Sequence, residues 1–257
     1  MAEFMSYPAG TPCWVDLGSP DLEASRSFYS GLLGWEAQEV PDPGAGGYTM
    51  FTLRGKLVAG LGPLFGEGQP PTWNTYISVD DVDKTAEAVL GAGGRVLAGP
   101  MDVMEAGRMA VFTDPAGAAV SVWQPGEVKG AELANEPGAF CWNELDTRDL
   151  SAAKAFYPAV FGWAVDDSGA QGGPMEYYGW KRDGETIAGM MPMPPNIPAE
   201  VPSFWLTYFA VTDTDAAVTE AQALGGSLLM PPMDIPTGRF AVLAGPHRET
   251  FGIIRIA

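Results

Sequence analysis

Cys13-Trp14-Val15-Asp16-Leu17 returns as Cys141-Trp142-Asn143-Glu144-Leu145, and 142 − 14 gives a shift of 128 residues. Each copy runs on into a short amphipathic stretch. The first reads Asp21-Leu22-Glu23-Ala24-Ser25-Arg26-Ser27-Phe28-Tyr29, and the second Asp149-Leu150-Ser151-Ala152-Ala153-Lys154-Ala155-Phe156-Tyr157. Both stretches close on Gly-Trp, at Gly34-Trp35 and Gly162-Trp163. Further on, Ala59–Leu64 answers to Ala188–Met193, Trp73–Val79 to Trp205–Val211, and Gly107–Val111 to Gly238–Val242. A solenoid repeats every ~20–50 residues, so a period this long is that of a domain. Two copies of one domain follow, and any site is to be sought twice.

The composition narrows the partners. The 257 residues hold 14 Lys and Arg against 32 Asp and Glu, a net charge of −18. Such a chain repels phosphate backbones and anionic lipid and carries no basic patch, so nucleic acid is excluded as a partner. No apolar run approaches the ~18 residues of a membrane span, and no signal segment opens the chain. Met1-Ala2-Glu3-Phe4, ahead of Met5, reads as a cloning remnant outside the fold. Each half is long enough to bury a core of its own. Cys13 and Cys141 sit at matching places in separate domains and read as reduced, semi-buried thiols, which points to a cytoplasmic protein.

Within each half the pattern restarts once. Pro12–Leu17 reads as a strand, and Asp21 caps a helix that Gly34 stops. Tyr48–Leu53 and Lys56–Leu61 read as strands. The second unit has a strand at Asn74–Val79, a helix from Val82 to about Ala92, and strands at Arg95–Ala98, Arg108–Thr113 and Ala118–Gln124. Asp114-Pro115-Ala116-Gly117 is a turn, with Pro setting φ and Gly allowing it to be positive. The fold class is therefore α+β. Two tandem domains, 11–125 and 139–257, each hold two βαβββ modules, joined by a Gly-, Glu- and Pro-rich linker at 126–138.

The paired modules resemble the vicinal oxygen chelate superfamily of glyoxalases, bleomycin-resistance proteins and extradiol dioxygenases. So do the Asp-Leu to Phe-Tyr to Leu-Gly-Trp phrase, the segment Val79-Asp80-Asp81-Val82-Asp83 and the Gly-Arg to Asp-Pro-x-Gly ending. The resemblance covers nearly the whole chain, and its tandem layout is most similar to actinobacterial glyoxalase-like proteins, some of which accompany antibiotic gene clusters. It implies two two-module glyoxalase-like domains. It also implies metal ligands at three places: a His opening the first strand, a residue opening the fifth, and a Glu in the last. Those places hold Trp14, Asn74 and Ser121 in the first copy, and Trp142, Leu206 and Gly252 in the second. Indole, aliphatic and glycine positions offer a divalent cation nothing. The expectation is two metal-free clefts with no cofactor, and neither a metal-dependent glyoxalase nor a metal-dependent dioxygenase.

Residues two apart on a strand share a face. Trp14 then lies with Asp16, Asn74 with Tyr76, Ser121 with Trp123, Trp142 with Glu144, and Leu206 with Tyr208. An aromatic face of this kind suits a flat, bulky ligand with a few polar handles. A Trp on a strand equally reads as core. Met190 and Met193, in the run Met190-Met191-Pro192-Met193-Pro194-Pro195, add soft side chains from a loop. Asp16 and Glu144 are the acid/base candidates, because burial beside Trp raises a carboxyl pKa. The favoured reading of both is a hydrogen-bonded structural carboxylate of the strand. Arg108 and Arg239 read as hairpin or surface ion-pair residues, and His247 as a solvated turn residue. The expected function is metal-independent binding of an aromatic small molecule. Through the resemblance this is a polyketide or anthracycline-type product, held for sequestration, self-resistance or biosynthesis, with a biosynthetic enzyme admitted as partner. The alternative is a metal-free tailoring enzyme, hydroxylase- or isomerase-like, using Asp16 or Glu144. The oligomeric state stays open.

Overall fold

Each α-helix begins where the sequence offers an aspartate. Asp21, Asp81, Asp149 and Asp213 cap α1 (Leu22–Leu33), α2 (Val82–Gly91), α3 (Leu150–Phe161) and α4 (Thr214–Ala223). Each carboxylate accepts backbone N–H groups of the first turn that have no partner inside the helix. These elements come from a computed structural model that describes residues 3–64, 66, 68–170 and 176–257.

The strands of the first half are β1 (Pro12–Ser19), β2 (Glu36–Glu39), β3 (Thr49–Leu53), β4 (Lys56–Pro63), β5 (Thr72–Ser78), β6 (Arg95–Val103), β7 (Gly107–Thr113) and β8 (Ala119–Pro125). They form one mixed sheet in the order β2-β3-β4-β1-β5-β8-β7-β6. β1 runs parallel to β4 and antiparallel to β5, and β5 runs parallel to β8. The sheet is thus two modules joined at the central β1–β5 pair. The second half repeats this with β9 (Phe140–Thr147), β10 (Ala164–Asp166), β11 (Tyr178–Arg182), β12 (Glu185–Pro192), β13 (Phe204–Ala210), β14 (Ser227–Ile235), β15 (Gly238–Ala244) and β16 (Thr250–Ile256). Its order is β10-β11-β12-β9-β13-β16-β15-β14. The α+β class and the two tandem two-module domains are as expected.

The cores are not. The two larger cores are each shared between the halves, and only a small cluster of Leu206, Tyr208, Phe240 and Val242 lies within one half. One core joins Phe28, Tyr29, Trp35 and Trp73 to Phe209, Val218, Leu243 and Phe251. The other joins Val82, Val89, Phe112 and Val120 to Phe156, Tyr157, Trp163 and Trp205. The first module therefore packs on the fourth and the second on the third, with the helices lying between the two sheets. The polar contacts follow the same pseudo-twofold. Trp73 donates to the Tyr29 hydroxyl at 3.0 Å, which donates to Glu249 of the other half at 3.0 Å. Trp205 donates to the Tyr157 hydroxyl at 2.9 Å, which donates to Asp114 at 3.2 Å. Trp35 and Trp163 each donate across to a carbonyl, of Gly138 and Gly10, at 2.6 Å. Phe156 and Phe28 press on Gly94 and Gly226, where a Cβ would come within 2.8 and 3.0 Å of the ring. The Gly-Gly helix stops are needed for that approach as well as for the turn.

Three further readings change. Glu3 bridges Leu133, and Phe4 stacks on Tyr7 with ring centroids 5.1 Å apart, so Glu3 and Phe4 belong to the fold, while Met1 and Ala2 lie outside the described residues. Ala131, Leu133 and Ala134 are buried, which makes the inter-domain segment a packed strap. β2 was invisible in the sequence because all four residues of Glu36–Glu39 face solvent on an edge, with no apolar alternation. Arg108 and Arg239 do pair with surface acids, Asp83 and Asp102 in one case and Asp215 and Asp234 in the other.

Shared cores make unfolding indivisible. Calorimetry is expected to show one endotherm, and Tyr157→Phe to lower stability by about 1–3 kcal/mol through the orphaned indole and carboxylate. Two resolved transitions, only one of them shifted by the substitution, would contradict this.

Candidate functional site

The faces of the two sheets turned away from the helices carry the candidate residues. In the first domain the register sets Trp14 beside Tyr76, Asp16 beside Asn74, Tyr76 beside Ser121, and Ser78 beside Trp123. Asp16 is buried and fully engaged. Oδ2 accepts from the Tyr48 and Tyr76 hydroxyls at 3.0 and 2.9 Å, and Oδ1 from Asn74 at 2.8 Å. Burial pushes its carboxyl above the ordinary range, and the three donors pull it back. Trp14 donates to the Tyr48 hydroxyl at 3.2 Å. That hydroxyl lies where a Cβ at position 60 would be, so Gly60 is what admits it. The Tyr48 ring covers Gly62, the Leu64 side chain covers Gly18, and Trp123 is buried with its indole donating to the Val128 carbonyl at 2.9 Å. This face is closed by its own side chains.

The second domain repeats the network and then departs from it. Trp142 stands beside Tyr208, and Glu144 beside Leu206 and Gly189. Tyr208 donates to Glu144 at 3.0 Å, its ring lying over Gly252, and Trp142 donates to the Tyr177 hydroxyl at 2.8 Å. Burial raises Glu144, and hydrogen bonds from Tyr177 and Tyr208 oppose it. Asp146, the next residue on this face, replaces Gly18 of the first domain. It is 6% exposed, and its Oδ1 is buried with no partner among the described residues. Burial first, and then the charge of Glu144, push it up to about 8. Met191 and Phe204 flank it in register, and both, like Trp142 and Tyr177, are half-buried. Leu206, Tyr208, Phe240 and Val242 are buried beneath these side chains, so this face is open only at its rim.

Met190 is not a loop residue. It lies in β12 beside Leu145, fully buried in the second core on the opposite side of the sheet. Met193 follows the end of β12, half-buried, its N–H donating to the Thr147 carbonyl at 2.7 Å. His247 lies in a turn, as expected, but is only partly solvated. It is half-buried, Nε2 lacks a partner among the described residues, and its N–H donates to Glu249 at 2.9 Å. Cys13 is fully buried and Cys141 half-buried. Burial raises both thiols, Cys141 to about 12, so neither is a thiolate nucleophile near neutrality. Trp142 also borders a groove of about 220 Å³ with Phe4, Tyr7, Phe140 and Ile187. Drug-sized ligands take ~300–1,000 Å³, more than this groove holds.

A divalent metal does not suit either face. The first presents one carboxylate, Asp16, already bonded to phenols and an amide, and the second presents Glu144, likewise bonded to phenols, and Asp146, with indole, thioether and aliphatic groups beside them. No group of three or more His, Cys, Asp or Glu converges among the described residues. Tyr48, Tyr177 and Asp146 escaped the sequence reading. The two-residue strand spacing from Glu144 would have found Asp146, and the recurrence of Gly60 as Gly189 marks a close approach in both halves.

The sequence profile of the Glyoxalase/Bleomycin resistance protein/Dioxygenase superfamily matches residues 13–122 and 140–253. The chain is 43% identical over 266 residues to the Streptomyces peucetius "Anthracycline biosynthesis protein DnrV", covering 97% of this chain and 94% of that protein. It is 43% identical over 264 residues to the "Putative glyoxylase CFP32" of Mycobacterium bovis, covering 100% and 99%. Among solved structures it is similar to the Mn(II)-bound glyoxalase from Novosphingobium aromaticivorans, with a TM-score of 0.65, 16% identity, and coverage of 96% of this chain and 82% of that one. That likeness concerns the fold. Among the described residues no helix is long and apolar enough to cross a membrane.

The Asp146 carboxyl gives a pH signature. Between its ordinary 3.8 and about 8, the folded protein holds a proton that the unfolded chain has released. Native stability therefore falls as pH rises through this window. Asp146→Asn cannot ionise, so its melting temperature relative to the parent should climb from pH 4 to pH 8 and then level off. A difference that stays constant across that range would contradict the assignment.

Proposed function

The chain belongs to the glyoxalase, bleomycin-resistance protein and dioxygenase superfamily, and on that premise we propose that it binds a bulky, flat aromatic small molecule without a metal. The setting is the cytoplasm of a producer of anthracycline-type polyketides. There the protein serves as an accessory to biosynthesis, or sequesters the product for self-protection. Tight binding lowers the free product by mass action and needs no chemistry.

The observation that carries this reading is the content of the sheet faces turned away from the helices. Where the family's metal enzymes hold ligands, this chain has Trp14, Tyr76 and Asn74 around Asp16, and Trp142, Tyr208 and Leu206 around Glu144. In the second domain Trp142, Met191 and Phe204 remain half-buried, offering apolar area that a planar ring system can cover. The names of the anthracycline biosynthesis relatives agree with such a ligand.

A second reading is a metal-free tailoring enzyme. It is favoured by Glu144, whose burial raises its carboxyl towards the range where proton transfer at neutral pH is efficient. Asp16, with three donors fixed on its two oxygens, is the poorer base.

Titration with quinizarin, a planar hydroxylated aromatic ketone, should quench tryptophan fluorescence saturably, before and after dialysis against chelator. Trp142→Ala should weaken binding by about tenfold or more, as expected for loss of a large aromatic contact. Quenching that never saturates would remove the binding reading. For the enzyme reading, turnover should survive chelator and be lost in Glu144→Gln, and turnover that chelator abolishes would end it.

A further inference from the structure

We propose that Asp146 selects the ligand of the second domain by hydrogen-bonding to the ring oxygens of a hydroxylated aromatic ketone. This rests on the aromatic-binding reading above. It adds which of the two faces is used and what the ligand must carry.

The geometry isolates Asp146. It is 6% exposed, with Oδ1 buried and unpartnered among the described residues. Its register neighbours on the same face are Met191 and Phe204, which offer no hydrogen bond. Glu144, two residues earlier on β9, already has phenolic donors and does not need it. An unmet buried polar group costs ~1–3 kcal/mol, which a polar contact from a ligand on this face would recover. The first domain has no such group. There the position is Gly18, with Leu64 over it at 3.4 Å from where a Cβ would sit.

A ligand lying across Met191 and Phe204 would bring its rim to Asp146. The carboxyl, raised by its burial, carries a proton at neutral pH. Its O–H donates to a ketone oxygen, and its other oxygen accepts from the adjacent phenol. A hydrocarbon of the same shape would cover the same apolar area and leave the acid unpaired. Discrimination between the two ligands is therefore the property that Asp146 controls.

The test titrates the full chain with quinizarin and with anthracene, which has a similar ring skeleton but no oxygens, following tryptophan fluorescence. The parent should bind quinizarin about tenfold or more tightly than anthracene, the factor expected when a buried polar group is met or left unmet. Asp146→Leu should bring that ratio towards one while keeping anthracene affinity. Asp146→Gly, the residue of the first domain, should do the same and stands in should the leucine variant not fold. Asp146→Asn, which can still donate and accept, should keep most of the preference. A preference that persists in the leucine or glycine variant overturns the role of Asp146 and leaves the binding reading standing. Equal binding of both compounds by the parent does the same. Saturable binding of neither compound overturns both.

Discussion

A buried phenol must find an acceptor, and in this chain the acceptor lies in the other half. Tyr29 and Tyr157 have no exposed surface, so their hydroxyls are removed from water. Each receives an indole N–H from its own half and passes its proton towards a carboxylate across the interface, Glu249 for one and Asp114 for the other. Hydrophobic burial alone would leave the two halves free to slide. Two directional relays, with the Trp35 and Trp163 contacts beside them, fix a single arrangement. That arrangement buries the helices and turns the opposite face of each sheet away from the interface. The candidate site is thus a consequence of the pairing.

The interface also shows how a physical requirement survives a change of residue. Asp114 accepts from the N–H groups of Ala116 and Ala118 at 2.9 Å and from Tyr157. The matching residue is Gly245, which has no carboxyl. The group is supplied instead by Glu249, four residues on, which accepts from His247 N–H and from Tyr29. Glu249 reaches into space that a side chain at position 245 would occupy, so the glycine there and the placement of Glu249 depend on each other. A different asymmetry sits between the central strands. Val15 of the first half becomes Asn143, whose Oδ1 accepts from Thr75 at 2.9 Å and Thr207 at 3.3 Å. One buried amide tied to both halves gives the packing a polar register mark among aliphatic neighbours.

The fold was legible because its repeated words are interface words. Phe28-Tyr29, Gly34-Trp35 and Trp73 recur as Phe156-Tyr157, Gly162-Trp163 and Trp205, since every one of them touches the other half or the shared core. Their repetition announced two domains but not that the cores are exchanged, because a pattern of apolar residues does not say which partner covers them. The edge strand at Glu36–Glu39 left no trace, since an exposed strand has no reason to alternate. The strand-parity rule brought Trp14, Asp16, Asn74 and Tyr76 onto one face. It could not show Tyr48 or Tyr177, which arrive from just ahead of β3 and β11 and meet that face only in three dimensions. Met190 misled because Met-Met-Pro-Met reads as a loop, whereas parity from Gly189 turns it into the core.

The two outer faces differ because the interface constrains them unequally from residue to residue, but not face by face. Substitutions at Val15, Phe28 or Tyr29 disturb the shared core, whereas a substitution at position 18 or 62 changes only the outer surface. The first domain used that freedom to close its face, with glycine at both positions under Tyr48 and Leu64. The second placed Asp146 and Met191 there and left Trp142 and Phe204 partly uncovered. A sealed face adds rigidity, whereas a face with an unpaired buried acid lowers stability, so the two copies of one fold contribute unequally to holding the molecule together. The shared cores make this inequality workable, since the closed domain supplies half of the packing that holds the other in shape.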